Sequence, residues 1–388
     1  MSDAYITLGA SATKSEVHKA IKNQDKGVFP GAFCKLCEDA AGDKNYCSVM
    51  HADGAGTKSS LAYIYYRETG DMSVFGGIAQ DSTVMNLDDL LCVGITDGFI
   101  MSNTIGRNAH RISGEIISTV IEGYSSFVEK MRSFGVNITM SGGETADVGD
   151  LVSTLIVDST FFARIPKAKV IDCANIKPGN VILALASYGK ATYENEYNSG
   201  ISSNGLTGAR HLVLSGVYRD KYPESFSSTI EQGKAYSGKY LLTDKLEGTD
   251  ITVGKALLSP TRTYAPILKE LLDNPQSNIS GLIHCTGGAQ AKCKNFGNGL
   301  RYVKDNLFDT PPLFRLIAEN SNIGEKEMYN VFNMGHRMEI YCDEKTAKLA
   351  SEIASKYNVD SRVIGYVEKS ADQNNSVIIK KDGKEFIY

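Results

Sequence analysis

The chain has 388 residues, 42% of them hydrophobic and 22% charged, with 41 Lys plus Arg against 45 Asp plus Glu for a formal net charge of −4. That composition can bury a full core over two or three domains and excludes a disordered tail. No basic block marks a nucleic-acid surface, apolar runs such as Val181–Ala186 are too short to span a membrane, and the first residues show no secretory pattern. Neither nucleic acid nor a membrane is expected as a partner.

In chain order, Thr13 and Glu16 have capping-box spacing ahead of the apolar Val17, Ala20 and Ile21, which predicts a first helix. Lys26-Gly27-Val28-Phe29-Pro30-Gly31 reads as a turn. Cys47–Met50 reads as a short strand entering the loop His51-Ala52-Asp53-Gly54-Ala55-Gly56-Thr57-Lys58, and Ser59–Glu68 as the helix leaving it. From Ile78 to Leu91 the apolar residues fit one broad helical face, with Asp81, Asp88 and Asp89 on another part of the same helix. A second amphipathic helix is predicted over Gly114–Phe134, then a strand Val136–Met140 and a turn Ser141-Gly142-Gly143-Glu144-Thr145. Thr154–Phe162 is strongly β-prone, and the turn Ile176–Asn180 opens a fresh strand, Val181–Ala186. Further on come a Gly- and Asn-rich loop through Gly205, a helix from Pro260 capped by Ser259, a glycine turn at Gly287-Gly288, and a mixed closing region. The irregular alternation predicts an α+β fold, with a domain boundary near Asp172 that divides residues 1–171 from 172–388.

Eight cysteines with a single CxxC pair, Cys34 and Cys37, are too sparse for a disulfide scaffold and lack a second pair at zinc spacing. They read as free thiols in a reducing compartment, the cytoplasm.

Three groups of residues could carry chemistry. The first is Asp53-Gly54-Ala55-Gly56-Thr57-Lys58, where glycines let a phosphate approach the backbone and Thr57 and Lys58 add donors. It is not a P-loop, and a plain tight turn would look similar. The second is acidic: Asp81 and Asp88, seven apart on a helix, share nearly one face, while Asp89 lies beside it and Glu144 sits among glycines. Carboxylates that converge repel one another unless a cation joins them, and Mg²⁺ with nucleotide phosphates is the usual solution. A solvated helix face is the plainer reading. The third is a set of polar turns, Ser203-Asn204-Gly205, Pro260-Thr261-Arg262 and His284-Cys285-Thr286-Gly287-Gly288, rich in anion-binding donors. His284 also fits a core histidine bonded to backbone.

Taken in order, Asp53–Lys58, Asp81 eight before Asp89, Gly142-Gly143-Glu144-Thr145-Ala146, Ser203-Asn204-Gly205, Leu257–Tyr264, His284–Gly288 and Glu327–Asn333 resemble the aminoimidazole ribonucleotide synthetase family, also called phosphoribosylformylglycinamidine cyclo-ligase. The resemblance runs from about residue 10 to 370. It implies an N-terminal domain whose strands form a β-barrel across a dimer two-fold, a C-terminal α+β domain, ATP and Mg²⁺ as cofactors, a homodimer, and closure of the imidazole ring of formylglycinamidine ribonucleotide in purine biosynthesis through an iminophosphate. It further implies Asp53, Asp89 and Glu144 as metal ligands. Lys26, Asp53, Gly54, Gly56, Thr57, Lys58, Asp81, Gly142, Gly143, Glu144, Ser203, Asn204, Thr286, Gly287 and Gly288 would bind nucleotide or substrate, and His284, Lys58 and Asp89 would be catalytic, His284 moving the proton.

The chain departs from the family pattern at Ala289, where a third glycine is common, at Asn333-Met334-Gly335, in the segment Phe29–Cys34, and in a long Lys190–Ser202 link. Two other readings stay open. One is a phosphotransferase of the same superfamily, of the selenophosphate synthetase or thiamine-monophosphate kinase type. The other is a non-catalytic nucleotide-binding relative.

Overall fold

A computed structural model describes residue 20 and residues 23–321 and 323–388. The first predicted helix, with Thr13, Glu16 and Val17, lies outside the described residues.

Two sheets organise the molecule. The first takes the order β1-β2-β5-β3-β4, built from Cys37–Glu38, Tyr46–Gly54, Phe99–Arg107 (β3), Ile138–Asp147 (β4) and Leu155–Pro166 (β5). All its pairs are antiparallel except β3 with β4. In β5 the alternation follows the period of two: Leu155, Val157, Ser159, Phe161, Ala163 and Ile165 turn inward. Their inward face packs on α2, Val74–Leu91, which follows α1, Lys58–Thr69, and lies against α3, Gly114–Ser133. The α2–α3 approach is close because both helices present glycine: a Cβ on Gly123 would come 2.7 Å from the Gly76 Cα.

The second sheet takes the order β12-β11-β8-β10-β6-β9-β7, from Val181–Ala186 (β6), Ile279–His284 (β7), Leu300–Lys304 (β8), His336–Cys342 (β9), Ser361–Lys369 (β10), Ser376–Lys381 (β11) and Lys384–Ile387 (β12). Leu183 and Leu185 of β6 face a core continuous with that of the first sheet, while Ile182 and Ala184 face a second cluster with Tyr302 and Tyr341. The fold is α+β, as the sequence predicts.

Two expectations are corrected. Ser141–Thr145 is not a turn but the middle of β4, where Gly143 pairs Asn103 and Glu144 pairs Thr104. A bulge absorbs the glycines: Gly142 has φ +96°, and a Cβ on Gly143 would meet the Asn103 Oδ1 at 2.4 Å. Nor does a helix start at Pro260. Ser259 ends the helix Val253–Leu258, the chain has no regular secondary structure through Tyr264, and the next helix is Ala265–Asp273.

Candidate active site

The site forms where α2 meets the second half of the chain. Apart from Gly76, Gly77 and Gln80, every residue of α2 is buried, so its carboxylates go inside with it. Asp81 and Asp88 do share a face, and that face meets the irregular segment 259–264. The Asp81 Oδ1 accepts bonds from the Lys58 Nζ at 2.8 Å, the Thr261 amide at 2.8 Å and the Thr261 hydroxyl at 2.5 Å. The Asp88 Oδ1 accepts from the Thr263 hydroxyl at 2.6 Å and the Tyr264 amide at 3.4 Å, and its Oδ2 lies 3.3 Å from the Arg337 guanidinium. Burial pushes the Asp88 carboxyl up and the Lys58 ammonium down.

The solvated-face reading of these acids is therefore excluded, and the phosphate contact expected of Lys58 is corrected: its ammonium is spent on Asp81, itself expected among the acids lining the nucleotide region. Lys58 is wholly buried and also donates to the Ser259 carbonyl at 2.6 Å, so the pair ties α1 and α2 to the second half. The Asp81 Oδ2 and the Ser203 Oγ are buried without a hydrogen-bond partner among the described residues.

Asp89 stands one step round the helix. Its Oδ1 meets the His284 Nδ1 at 2.6 Å and its Oδ2 the His51 Nε2 at 3.2 Å. Burial alone would raise this carboxyl; the two imidazoles and the Lys292 ammonium hold it well below the usual range. His284 has no free nitrogen, since its Nε2 accepts from the Arg337 Nε at 2.8 Å and its Nδ1 must carry the proton. Burial pulls its pKa down. The proton-transfer role expected for His284 is corrected on this geometry: the ring is neutral, sealed, and orients Asp89. His51, half-buried on β2, has both nitrogens against oxygen acceptors, with its Nδ1 2.8 Å from the Asn86 Oδ1. The Asn86 amide nitrogen donates to Ser82 and Ser159, which fixes that oxygen. Burial opposes the charge on His51, but the Asp89 bond raises its pKa.

The loop after β2 meets the helix Leu206–Val213, which follows the Ser203-Asn204-Gly205 turn, through the Thr57 and Thr207 hydroxyls, 2.8 Å apart. Asp53 is exposed, with its Oδ1 accepting from the Gly54 amide at 2.7 Å. Beside it Asp158, half-buried, has a carboxyl raised by burial and by Asp53.

The expected metal trio does not converge. Register puts Asp53 in a row with Ser159, Asn103 and Gly143, and Glu144 in the next row with Thr104 and Asp158, so the two acids project on opposite faces. Among the described residues the group with ligand atoms within 4.8 Å of one another is instead Cys285, His336 and Glu339. There, however, the Lys304 ammonium already occupies the Glu339 Oε1. Lys26 is exposed.

Sequence reasoning missed His51, Arg337, Lys292 and Asp158. The signal for Arg337 was a charge inside a β-prone run: all seven residues of β9, His-Arg-Met-Glu-Ile-Tyr-Cys, are buried.

Cys34 lies 3.8 Å from the Asp89 carbonyl, and burial, then Asp89, push its thiol up. A thiol so placed is a poor nucleophile. Cys34→Ser should leave turnover within about threefold of wild type, because the thiolate is not formed near neutral pH. A steady-state assay checks this, and a dead variant would restore the selenophosphate-type reading.

Comparison with known proteins places this geometry. Residues 25–165 match the model of the AIR synthase related protein N-terminal domain, and residues 177–377 match that of the C-terminal domain. The chain belongs to the AIR synthase related protein family. A phosphoribosylformylglycinamidine cyclo-ligase of Methanocaldococcus jannaschii is 29% identical over 338 residues, 87% of this chain and 83% of the relative. Those of Methanococcus maripaludis strain C7 and Staphylococcus carnosus are each 28% identical, over 99% and 93% of this chain and 95% and 91% of their own lengths. Among solved structures, the HypE-HypF complex matches with TM-score 0.58 at 14% identity, over 96% of this chain and 98% of that chain. Thermotoga maritima PurL complexed with ADP matches with TM-score 0.53 at 14% identity, over 99% of this chain and 50% of that chain. These structures share the fold.

Proposed function

We propose that the protein is an ATP-dependent cyclo-ligase that closes formylglycinamidine ribonucleotide to aminoimidazole ribonucleotide. The observation that carries this reading is the likeness, across both domains and nearly the whole chain, to proteins named as that cyclo-ligase. The reaction suits a site built of positioning groups. The formyl oxygen attacks the γ-phosphorus of ATP and ADP leaves, which turns a poor leaving group into a phosphate. The amidine nitrogen then adds to the activated carbon, the C–O bond breaks, phosphate departs and the nitrogen loses its proton.

For Mg²⁺ the fit is local. Asp53, exposed at the end of β2, offers hard oxygen donors, whereas register places Asp158 in the next row with Glu144. Asp89 does not fit, with both oxygens held by imidazoles. Asp53 would hold the cation, which supplies charge neutralisation for the phosphates. Gly54, Gly56 and Thr57 would face the nucleotide. Ser203, Asn204, Thr286, Gly287 and Gly288 would face the substrate. The domain division near Asp172 and a cytoplasmic location belong to the same reading; no helix among the described residues is long and apolar enough to cross a membrane.

A homodimer through the first sheet is part of the proposal. On the outer face of that sheet Met50, Phe162 and Ile100 stand in one row, with Met50 74% and Ile100 44% exposed. Such an apolar face on a folded chain calls for a cover. Met50→Glu with Ile100→Glu should convert a dimer to a monomer in sedimentation velocity; a wild type that sediments as a monomer at micromolar concentration contradicts the idea. The function itself is tested by ADP release. Stimulation by formylglycinamidine ribonucleotide supports it, and release stimulated by selenide or thiamine monophosphate instead would overturn it.

A further inference from the structure

β9 carries a permanent charge in a strand whose seven residues are all buried: Arg337 is 1% exposed. A guanidinium so placed is costly unless acceptors meet its donors. Pairing with β7 sets its place, since Met338 stands opposite His284 and the Cys285 amide donates to the Arg337 carbonyl at 2.6 Å. The Arg337 Nε donates to the His284 Nε2 at 2.8 Å. One terminal nitrogen of the same fork reaches the Asp88 Oδ2 at 3.3 Å and the Arg262 carbonyl. The guanidinium carbon lies 5.4 Å from the centroid of the Tyr264 ring, which adds a cation–π contact. The planar fork thus spans two acceptors on two elements, β7 and α2.

The bond to His284 constrains more than position. Arginine has no acceptor and does not give up its proton, so the nitrogen it meets must be bare. The proton of the ring then sits on Nδ1, which faces the Asp89 Oδ1 at 2.6 Å. The other neutral tautomer would set two N–H groups against each other at Nε2 and two acceptors against each other at Nδ1. A second proton on the ring meets the same clash at Nε2. The charged groups that bear on His284 are Asp89, Arg337 and Asp88, two carboxylates that favour a charged ring and one guanidinium that opposes it. Arg337 is sealed from solvent, so it works through the ring and not on a substrate.

We propose that Arg337 is a positioning residue for turnover: it locks His284 as the neutral Nδ1–H tautomer and so fixes the direction in which Asp89 presents its carboxylate. The effect on turnover rests on the cyclo-ligase reading; the lock itself does not. A residue that only tied β9 to α2 would need the contact with Asp88 and not the bond to His284.

The test joins nitrogen-15 NMR of the full chain, labelled at histidine, to steady-state kinetics of ADP release. The His284 signals are those missing from His284→Gln. In wild type near neutral pH one nitrogen of His284 should read as protonated and the other as bare. In Arg337→Met the bare nitrogen should take up a proton, because the donor that kept it off is gone and Asp89 favours a charged ring. Turnover should fall by about tenfold or more while KM for the ribonucleotide stays within about threefold, the pattern of a lost outer partner that aims a functional group. The double change Arg337→Met with Asp88→Asn leaves no carboxylate stranded, so its melting temperature should return toward wild type while turnover stays low and the nitrogen stays protonated. If the single variant fails to fold, the double variant gives the same readings. His284 signals unchanged from wild type, or turnover that recovers together with stability, would overturn the proposal. If the His284 signals behave as expected while formylglycinamidine ribonucleotide fails to stimulate ADP release by wild type, the lock stands and the ring-closing reading falls.

Discussion

Asp89→Asn is expected to lower turnover by roughly 10²-fold or more, the effect of losing one preorganised electrostatic group. The carboxylate accepts from two imidazoles at once, through its Oδ1 to His284 and its Oδ2 to His51. An amide can accept from only one of them and must turn its NH₂ toward the other. His284 has no second state to offer, because Arg337 donates to its remaining nitrogen. The amide oxygen should therefore stay with His284, and His51 should lose both its acceptor and the charge that raises its pKa. The stability cost is that of one poorly satisfied buried group, about 1–3 kcal/mol. Substrate-dependent ADP release with melting curves alongside separates the two effects. Near-normal turnover in Asp89→Asn would remove Asp89 from the site.

Lys304→Met should be the most destabilising single change considered. The Glu339 Oε1 receives the Lys304 ammonium and the His336 Nε2 at 2.9 Å, and its Oε2 receives the Tyr341 hydroxyl at 2.5 Å, all in a fully buried setting. Burial would push this carboxyl up, but Lys304 and His336 hold it down at about 2. Its stabilising contribution is thus present above the ordinary glutamate value near ~4.3 and lost as pH falls through the folded value. Without Lys304 the charge is stranded, at a cost of about 3–5 kcal/mol. Urea unfolding at neutral pH measures that loss. The sign of the pH dependence then reverses: burial now favours the protonated carboxyl, so the deficit should shrink as pH drops toward 5. The double change Lys304→Met with Glu339→Leu should recover much of the loss. A single variant as stable as wild type would show that the pair carries no such charge.

How much of this was legible in the sequence depends on how local each feature is. Val181–Ala186 is an uninterrupted apolar run and emerges as a strand with those bounds, and the seven-residue spacing of Asp81 and Asp88 does put them on one face. The Gly-Gly-Glu-Thr stretch predicts a turn because glycines usually mean one, yet pairing with β3, 40 residues earlier, makes it a strand. Ser259-Pro260 has every local mark of a helix start. It stays out of a helix because the amide and hydroxyl of Thr261 satisfy a buried carboxylate on α2, a tertiary gain that outweighs local propensity. The role of His284 could not be read locally either, since Asp89 and Arg337 arrive from 195 and 53 residues away. Lys292 belongs to no motif, and only the fold brings Phe33 beneath it.

The segment 259–264 has a mechanical consequence. Its hydroxyls and amides are the counterparts of two carboxylates on α2, while Lys58 reaches across to the Ser259 carbonyl and Arg337 to Asp88. Parting the halves like a hinge would strand several of these charges away from any partner at one stroke. The core of the molecule therefore behaves as a single cooperative block, and traffic of small molecules in and out falls to the exposed rim: the loop bearing Asp53, Gly56 and Thr57, and the turn at Gly287.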